Sequence, residues 1–370
     1  YGSVLTGGLV QEVGEGYSAI APEITTVSGW GFIGWNRNYD SVTESFTVTA
    51  QYAPAGLVGV LQEQVLLTTG GVDSETIQGP VSLSGDAAVV AMYGTAVTSW
   101  QRSVSVYVRS GGVWREQAKL VPSKNVGSFG TSVSVSGDTI VVGAEQDHAA
   151  GSQSGSAYVY RRSGAVWVEQ GKLIPSDGED GDEFGSSVSV SGDTIVVGAN
   201  GDYHSSIGGR AYVYTRNGGV WTEQEKLVPS DGLAEYSYGI EVSVSGDTVV
   251  VGGLNTYTSK NRGVYIYVRN EGAWTEQAKL LGDDENDFGS SVDVIDNVNA
   301  GSAYVYARSG GAWSEEAKLV ASDGAESDYF GSLVSVSGDR IVVGASGLDR
   351  VYVYARRDGI WFEEAKRLSS

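Results

Sequence analysis

The sequence contains no cysteine, and only 6 prolines, 2 histidines and 1 methionine among 370 residues. Without cysteine, neither a disulfide nor a thiolate metal site can form. No apolar run approaches the roughly 20 residues that a membrane-crossing helix needs. Nor does any segment of useful length repeat apolar residues with the period of an amphipathic helix. Positive charge is scarce too: 24 basic residues face 45 acidic ones, a formal net charge of −21. A surface that acidic repels nucleic acid and anionic membrane, keeps an exposed β-rich protein in solution and attracts divalent cations. The chain opens at Tyr1 without a signal peptide, and so reads as a processed or trimmed piece of something longer.

Glycine, by contrast, is abundant at 53 residues, and Val, Thr, Tyr and Trp are plentiful, which favours strands. The strongest pattern is self-similarity. FGSSVSVSGDTIVVGA opens at Phe184 and leads to RAYVYTRNGGVWTEQEKLVPSDG; near-copies open at Phe129, Tyr238 and Phe330. A period of this size points to propeller blades. Each copy parses into four short strands: SVSVS, TIVVGA, AYVYxR and WxEQxKL. Tight Ser-Gly-Asp and Gly-Gly-type turns join the first to the second and the third to the fourth, as antiparallel hairpins require. The fourth strand is marked by Trp114, Trp167, Trp221, Trp274, Trp313 and Trp361, and LQEQVLLTTGG from Leu61 is a degenerate seventh copy of it. The expected fold is therefore an all-β propeller over residues 55–370. Its four-stranded antiparallel blades comprise six recognisable units plus an extra outer strand, giving six or seven blades.

One unit is irregular. FGSSVDVIDNVNAGSAYVY from Phe288 lacks a TIVVGA strand, and Trp274 and Trp313 are 39 residues apart where the earlier spacings are 53 or 54. About a dozen residues of the repeat are expected to be missing there, near Ile295. The lone outer strand at Leu61 either links to a six-bladed ring or closes a seventh blade with strands beyond Ser370.

The FG…GDTIVVGA…G-AYVY pattern resembles the FG-GAP repeats of integrin-α-like propellers, in the version with an SGD turn found in large secreted or surface proteins of bacteria. The resemblance implies adhesion or ligand binding more often than catalysis. Integrin-type repeats often hold calcium between their first two strands. Here that connection is only Ser136–Asp138 or Ser191–Asp193, too short to supply the six to eight oxygens calcium takes. Residues 1–54 differ in texture. Gly-Tyr followed by Pro, the Gly29–Trp35 segment and a closing FTVTAQY resemble the internalin-type B repeat, a small β-grasp-like module used as a spacer. Trp30, Phe32 and Trp35 are expected to pack in its core.

Strand parity places both tight turns on one face of the ring and the long connections on the other, and loops on a rigid scaffold are where binding residues concentrate. That loop-rich face is acidic, with SDGEDGDEFG from Ser176, GDDENDFG from Gly282 and SDGAESDYFG from Ser322. Asp177, Asp180, Asp182, Asp283, Asp284, Asp287, Asp323 and Asp328 are the candidate calcium ligands, set against a solvated acidic rim. His148 and His204 fall in equivalent loops and are weaker metal candidates, because a site needs three or four converging ligands. No catalytic or cofactor motif is present, and recurring acids, Trp and Tyr are better read as turns and inter-blade packing. The expectation is a non-enzymatic extracellular or cell-surface binding protein that presents a protein or glycan ligand site on the acidic face. A self-assembling filament subunit and a polysaccharide lyase or hydrolase are the alternatives.

Overall fold

The computed structural model describes residues 30–35, 50–54, 75–94, 102–110, 113–124, 126–201, 208–230, 238–253, 263–281, 295–296, 302–324, 328–347 and 350–368. The chain divides into two units, Tyr1–Val65 and Leu66–Ser370. In the first, β1 (Trp30–Trp35) pairs antiparallel with β2 (Ala50–Pro54), with a register shift between Phe32 and Gly34. The rest of the B-repeat-like module, and the side chains of its three aromatics, lie outside the described residues, as does the strand expected at Leu61.

The second unit is a series of antiparallel meanders in chain order. The first blade is β3 (Glu75–Ser84), β4 (Ala87–Gly94), β5 (Ser103–Ser110) and β6 (Val113–Leu120). The second is β7 (Phe129–Ser136), β8 (Thr139–Ala144), β9 (Ser156–Ser163) and β10 (Val166–Leu173). The third comprises β11 (Phe184–Ser191), β12 (Thr194–Ala199), β13 (Arg210–Asn217) and β14 (Val220–Leu227). Next come β15 (Tyr238–Ser245), β16 (Thr248–Gly253), β17 (Gly263–Asn270) and β18 (Ala273–Leu280). The irregular unit forms β19 (Ile295–Asp296), β20 (Ser302–Ser309) and β21 (Ala312–Leu319), and the last blade is β22 (Phe330–Ser337), β23 (Arg340–Ala345), β24 (Arg350–Arg357) and β25 (Ile360–Leu368).

Among the described residues, then, five blades are complete and one is partial, in place of the six or seven expected. Chain length explains the shortfall. Only 22 positions separate Leu280 from Ser302, against 36 between Leu227 and Gly263, too few for two further strands of full length. The two-residue β19 occupies the second-strand place, Ile295 opposite Ala303 and Asp296 opposite Ser302. It thus keeps the pairing that Gly198 and Ala199 make with Ala211 and Arg210.

Alternation explains the packing. The second strands are sandwiched on both sides, and all six residues of TIVVGA are buried in β8 and in β12. A strand buried on both faces reads as a continuous apolar run. The cores straddle blades: Val89, Ala91 and Val106 of the first blade meet Val133, Val135 and Tyr158 of the second. Phe129, Phe184 and Phe330, of the FG pair, sit edge-on against the first tyrosine of their own third strand at 5.2–5.6 Å, the T-shaped geometry aromatic pairs prefer. The glycine of FG and the glycine of VVGA are backbone contacts between neighbouring blades. A Cβ on Gly143 would meet the Gly185 carbonyl, and one on Gly198 the Gly239 carbonyl.

Candidate functional site

The two kinds of long connection lie together. The loop 145–155 is zipped to the connection 174–183: Gly181 N donates to Ser152 O (2.8 Å), Glu183 N to Gln153 O (3.1 Å) and Phe184 N to Ser154 O (3.0 Å). The Ser-Gly-Asp and Gly-Gly-type turns sit at the other ends of the same strands. The expected division into a plain face and a loop-rich face is thus visible around the second and third blades.

On the loop-rich face the candidate aspartates are held by cations and phenols. Asp177 accepts hydrogen bonds from Tyr212 Oη (2.9 Å) and Lys226 Nζ (2.6 Å). Asp323 repeats this with Tyr352 Oη (2.9 Å) and Lys366 Nζ (2.8 Å), and adds Arg350 (3.0 Å). Asp182 is buried and accepts from Glu179 N (2.7 Å) and Arg210 (2.9 Å). Asp180 accepts from Ser152 N (2.8 Å), which fastens one loop to the other. Asp328 is buried, and its carbonyl oxygen receives Gly347 N (3.0 Å). Asp283, Asp284, Asp287 and His204 lie outside the described residues. His148 Nδ1 accepts from Gln153 N (3.2 Å), closing its own loop. Among the described residues, no three His, Asp or Glu side chains are grouped as a metal ion would need.

The electrostatics follow the pairing. Burial pushes the Asp177 carboxyl up, but Lys226 and Tyr212 outweigh it and hold the group below the usual carboxylate range. Lys366 and Tyr352 do the same for Asp323. At Asp182 burial dominates over the Glu179 N–H and Arg210, and the carboxyl is raised. The second blade solves the same problem with a different acid. Its incoming connection carries Lys124 where Asp177 and Asp323 stand in theirs. Buried Asp147 serves Lys172 (2.5 Å) and Ser156 Oγ (2.6 Å) instead.

Two more clamps recur, and sequence reasoning missed both. The serine that follows four of the fourth strands is gripped by the glutamate of the next one. Ser176 N and Oγ both donate to Glu223 (2.8 and 2.7 Å), and Ser123 with Glu169, Ser230 with Glu276 and Ser322 with Glu363 repeat the geometry. The second tyrosine of AYVY closes it: Tyr214 Oη lies 3.0 Å from Ile174 O and 3.2 Å from Glu223. On the plain face, Arg216 bonds Asp193 of its own turn (2.6 Å) and reaches Thr139 Oγ1 of the preceding blade (3.3 Å); Arg269 does likewise with Asp247 (2.7 Å) and Thr194 (3.2 Å). The available signal was the recurrence of Lys, Glu and Arg at fixed places in every copy, which turn formation alone does not require.

These clamps predict a base-labile protein. Burial first, then the neighbouring carboxylates, raises the phenols of Tyr160, Tyr214, Tyr267 and Tyr354 well above the ordinary value, and pushes Tyr158 up to about 12. The folded state then holds protons that the unfolded chain releases above pH ~10, so stability is complete below that pH and falls as pH rises. The expected loss is about 1.4 kcal/mol per pH unit for each such tyrosine. Urea midpoints measured from pH 8 to 12 check it, and a flat profile would contradict it.

Four segments, residues 114–160, 167–214, 221–267 and 313–354, match the FG-GAP repeat family model. Each runs from a Trp-marked fourth strand to the third strand of the next blade, so the matched unit spans the clamped joints. No curated protein matches the sequence significantly. A crystal structure of a protein from Lactobacillus plantarum shares 14% identity over 78% of this chain and 84% of that chain, with a TM-score of 0.50. A candidate 6-phosphogluconolactonase from Bacteroides uniformis shares 12% identity over 77% and 82%, with a TM-score of 0.48. The first likeness concerns the fold alone, and the second is too weak to bear on function. No helix among the described residues is long and apolar enough to cross a membrane. The repeated strands, the clamps between blades and the four matched segments agree: this chain carries FG-GAP repeats built into a β-propeller.

Proposed function

We propose that the chain is an extracellular or cell-surface binding protein whose loop-rich face is an interaction platform for a protein or glycan, and that it works by binding rather than catalysis. The observation that carries this reading is the welding of loop 145–155 to connection 174–183 through backbone bonds and Asp180. Loops fixed in this way present a preorganised surface, which lowers the entropic cost of association. In the same reading Asp177, Asp182 and Asp323 are structural anchors, each already neutralised by Lys or Arg.

A glycan array and a pull-down from extracellular matrix, run with the full chain, test the platform. Wild type should retain a ligand, and Asp180→Ala, which unlatches one loop from the other, should weaken it about tenfold with the fold intact by circular dichroism. A ligand bound equally well by the variant sinks the assignment to this face. Calorimetric titration with calcium tests the anchor role: heat of binding, with a melting shift reversed by EDTA, would return these aspartates to metal ligation.

A further inference from the structure

Three described joints between blades share one chemistry. Ser82 and Ser84 of β3 accept the backbone N–H groups of Val135 (3.0 Å) and Gly137 (3.3 Å) in the next blade. Ser134 and Ser136 do so for Val190 and Gly192, and Ser189 and Ser191 for Val244 and Gly246. A pair of serine hydroxyls two residues apart thus reads alternate N–H groups of an extended strand.

The last blade presents the same pair, Ser335 and Ser337, both exposed, and neither hydroxyl has a partner among the described residues. They line a cleft of about 620 Å³ that also reaches Leu83 of the first blade. Leu83 is 63% exposed and the equivalent Val336 is 50% exposed, whereas Val135, Val190 and Val244 at the closed joints are 6–7% exposed. The cleft departs from the repeat in charge as well. Thr139, Thr194 and Thr248 are replaced here by Arg340, and Arg356 and Arg357 join it in the lining. Glu364 is shared between Arg340 (3.2 Å) and Arg357 (3.3 Å), while Arg356 turns to Glu316. One carboxylate spread over two forks of five N–H donors each leaves donors to spare. Asp339 lines the cleft too, so three arginines meet two carboxylates there, a small local excess of positive charge in a chain of net charge −21.

We propose that this open joint binds an extended, acidic peptide segment of a partner protein. The segment's alternate N–H groups donate to Ser335 and Ser337, as the next blade's strand does at the closed joints, and its Asp or Glu side chains pair with Arg340 and Arg357. The cleft volume falls within the range of ligand sites, and main-chain bonds with side-chain selection are the usual division of labour in strand-type recognition. The site lies beside the turns, at the other end of the strands from the loop-rich face, so it is independent of the platform proposed above.

Fluorescence polarisation with a labelled six-residue peptide alternating Glu and Val tests it on the full chain. Wild type should bind, more weakly as salt rises, while the Gln-for-Glu peptide should not. Arg340→Thr, which restores the residue of the other blades, should weaken binding roughly tenfold, the loss of one charge-assisted pair. Ser335→Ala with Ser337→Ala should weaken it independently. No binding, equal binding of the Gln peptide, or unchanged binding by both variants would overturn the proposal. So would self-association abolished by Arg340→Thr, because it would give the joint to a second copy of the chain.

Discussion

Gly185→Ala should destabilise the propeller by about 3 kcal/mol or more, whereas Gly192→Ala, seven residues along the same hairpin, should cost about 1 kcal/mol. Both glycines have positive φ, +93° and +58°, so both substitutions carry the left-handed backbone cost. They differ in what a methyl would meet. At Gly192 there is open space, whereas at Gly185 a Cβ would press on the Ser156 carbonyl and approach the Ala144 nitrogen and the Gly143 Cα. Those are backbone atoms of the preceding blade, which cannot swing aside as a side chain can. The joint must open, and with it the buried bond from Ser132 Oγ to Gly185 O (2.8 Å). Thermal melts of the two variants check the contrast. Equal shifts would show that conformation, not blade spacing, selects the glycine of the FG pair.

Phe184→Ala should be of similar severity, about 3–5 kcal/mol, the usual cost of emptying a large aromatic site. Phe184 is fully buried and stands edge-on to Tyr212 (5.5 Å) and Tyr214 (6.1 Å). Those tyrosines hold Asp177 and Glu223, so the cavity would loosen two clamps as well as the core. Val166→Ala is the control: that side chain is 61% exposed and should change stability by less than about 0.5 kcal/mol. Because repeat arrays can unfold in parts, hydrogen exchange should show the damage concentrated in β11–β13 and in β9, across the joint. Uniform loss of protection in every blade would contradict that localisation.

The complete blades were legible because three independent signals coincide in their copies: alternation as in SVSVS, an apolar run as in TIVVGA and Gly-rich turns between. The division into a plain and a loop-rich face followed from strand parity alone. What escaped was pairing across joints. Asp177 and Lys226 are 49 residues apart, and nothing local to SDGEDGDEFG indicates that a lysine one blade later neutralises its first acid. The same distance hid the Glu223 grip on Ser176. Arg340 escaped for the opposite reason: it is one substitution inside a conspicuous repeat, and its meaning depends on the cleft that it lines with Leu83 of the first blade.

The serine pairs and Ser–Glu grips make successive joints interchangeable, since each blade offers its successor the same acceptors that it uses from its predecessor. A unit cut from one Trp-marked strand to the next therefore carries one complete joint within itself and leaves matching halves behind. A gene encoding such a chain can gain or lose a copy by unequal crossing-over without any compensating substitution, and copies exchanged between positions remain compatible. The replacement of Thr by Arg340 interrupts that equivalence in the last described blade.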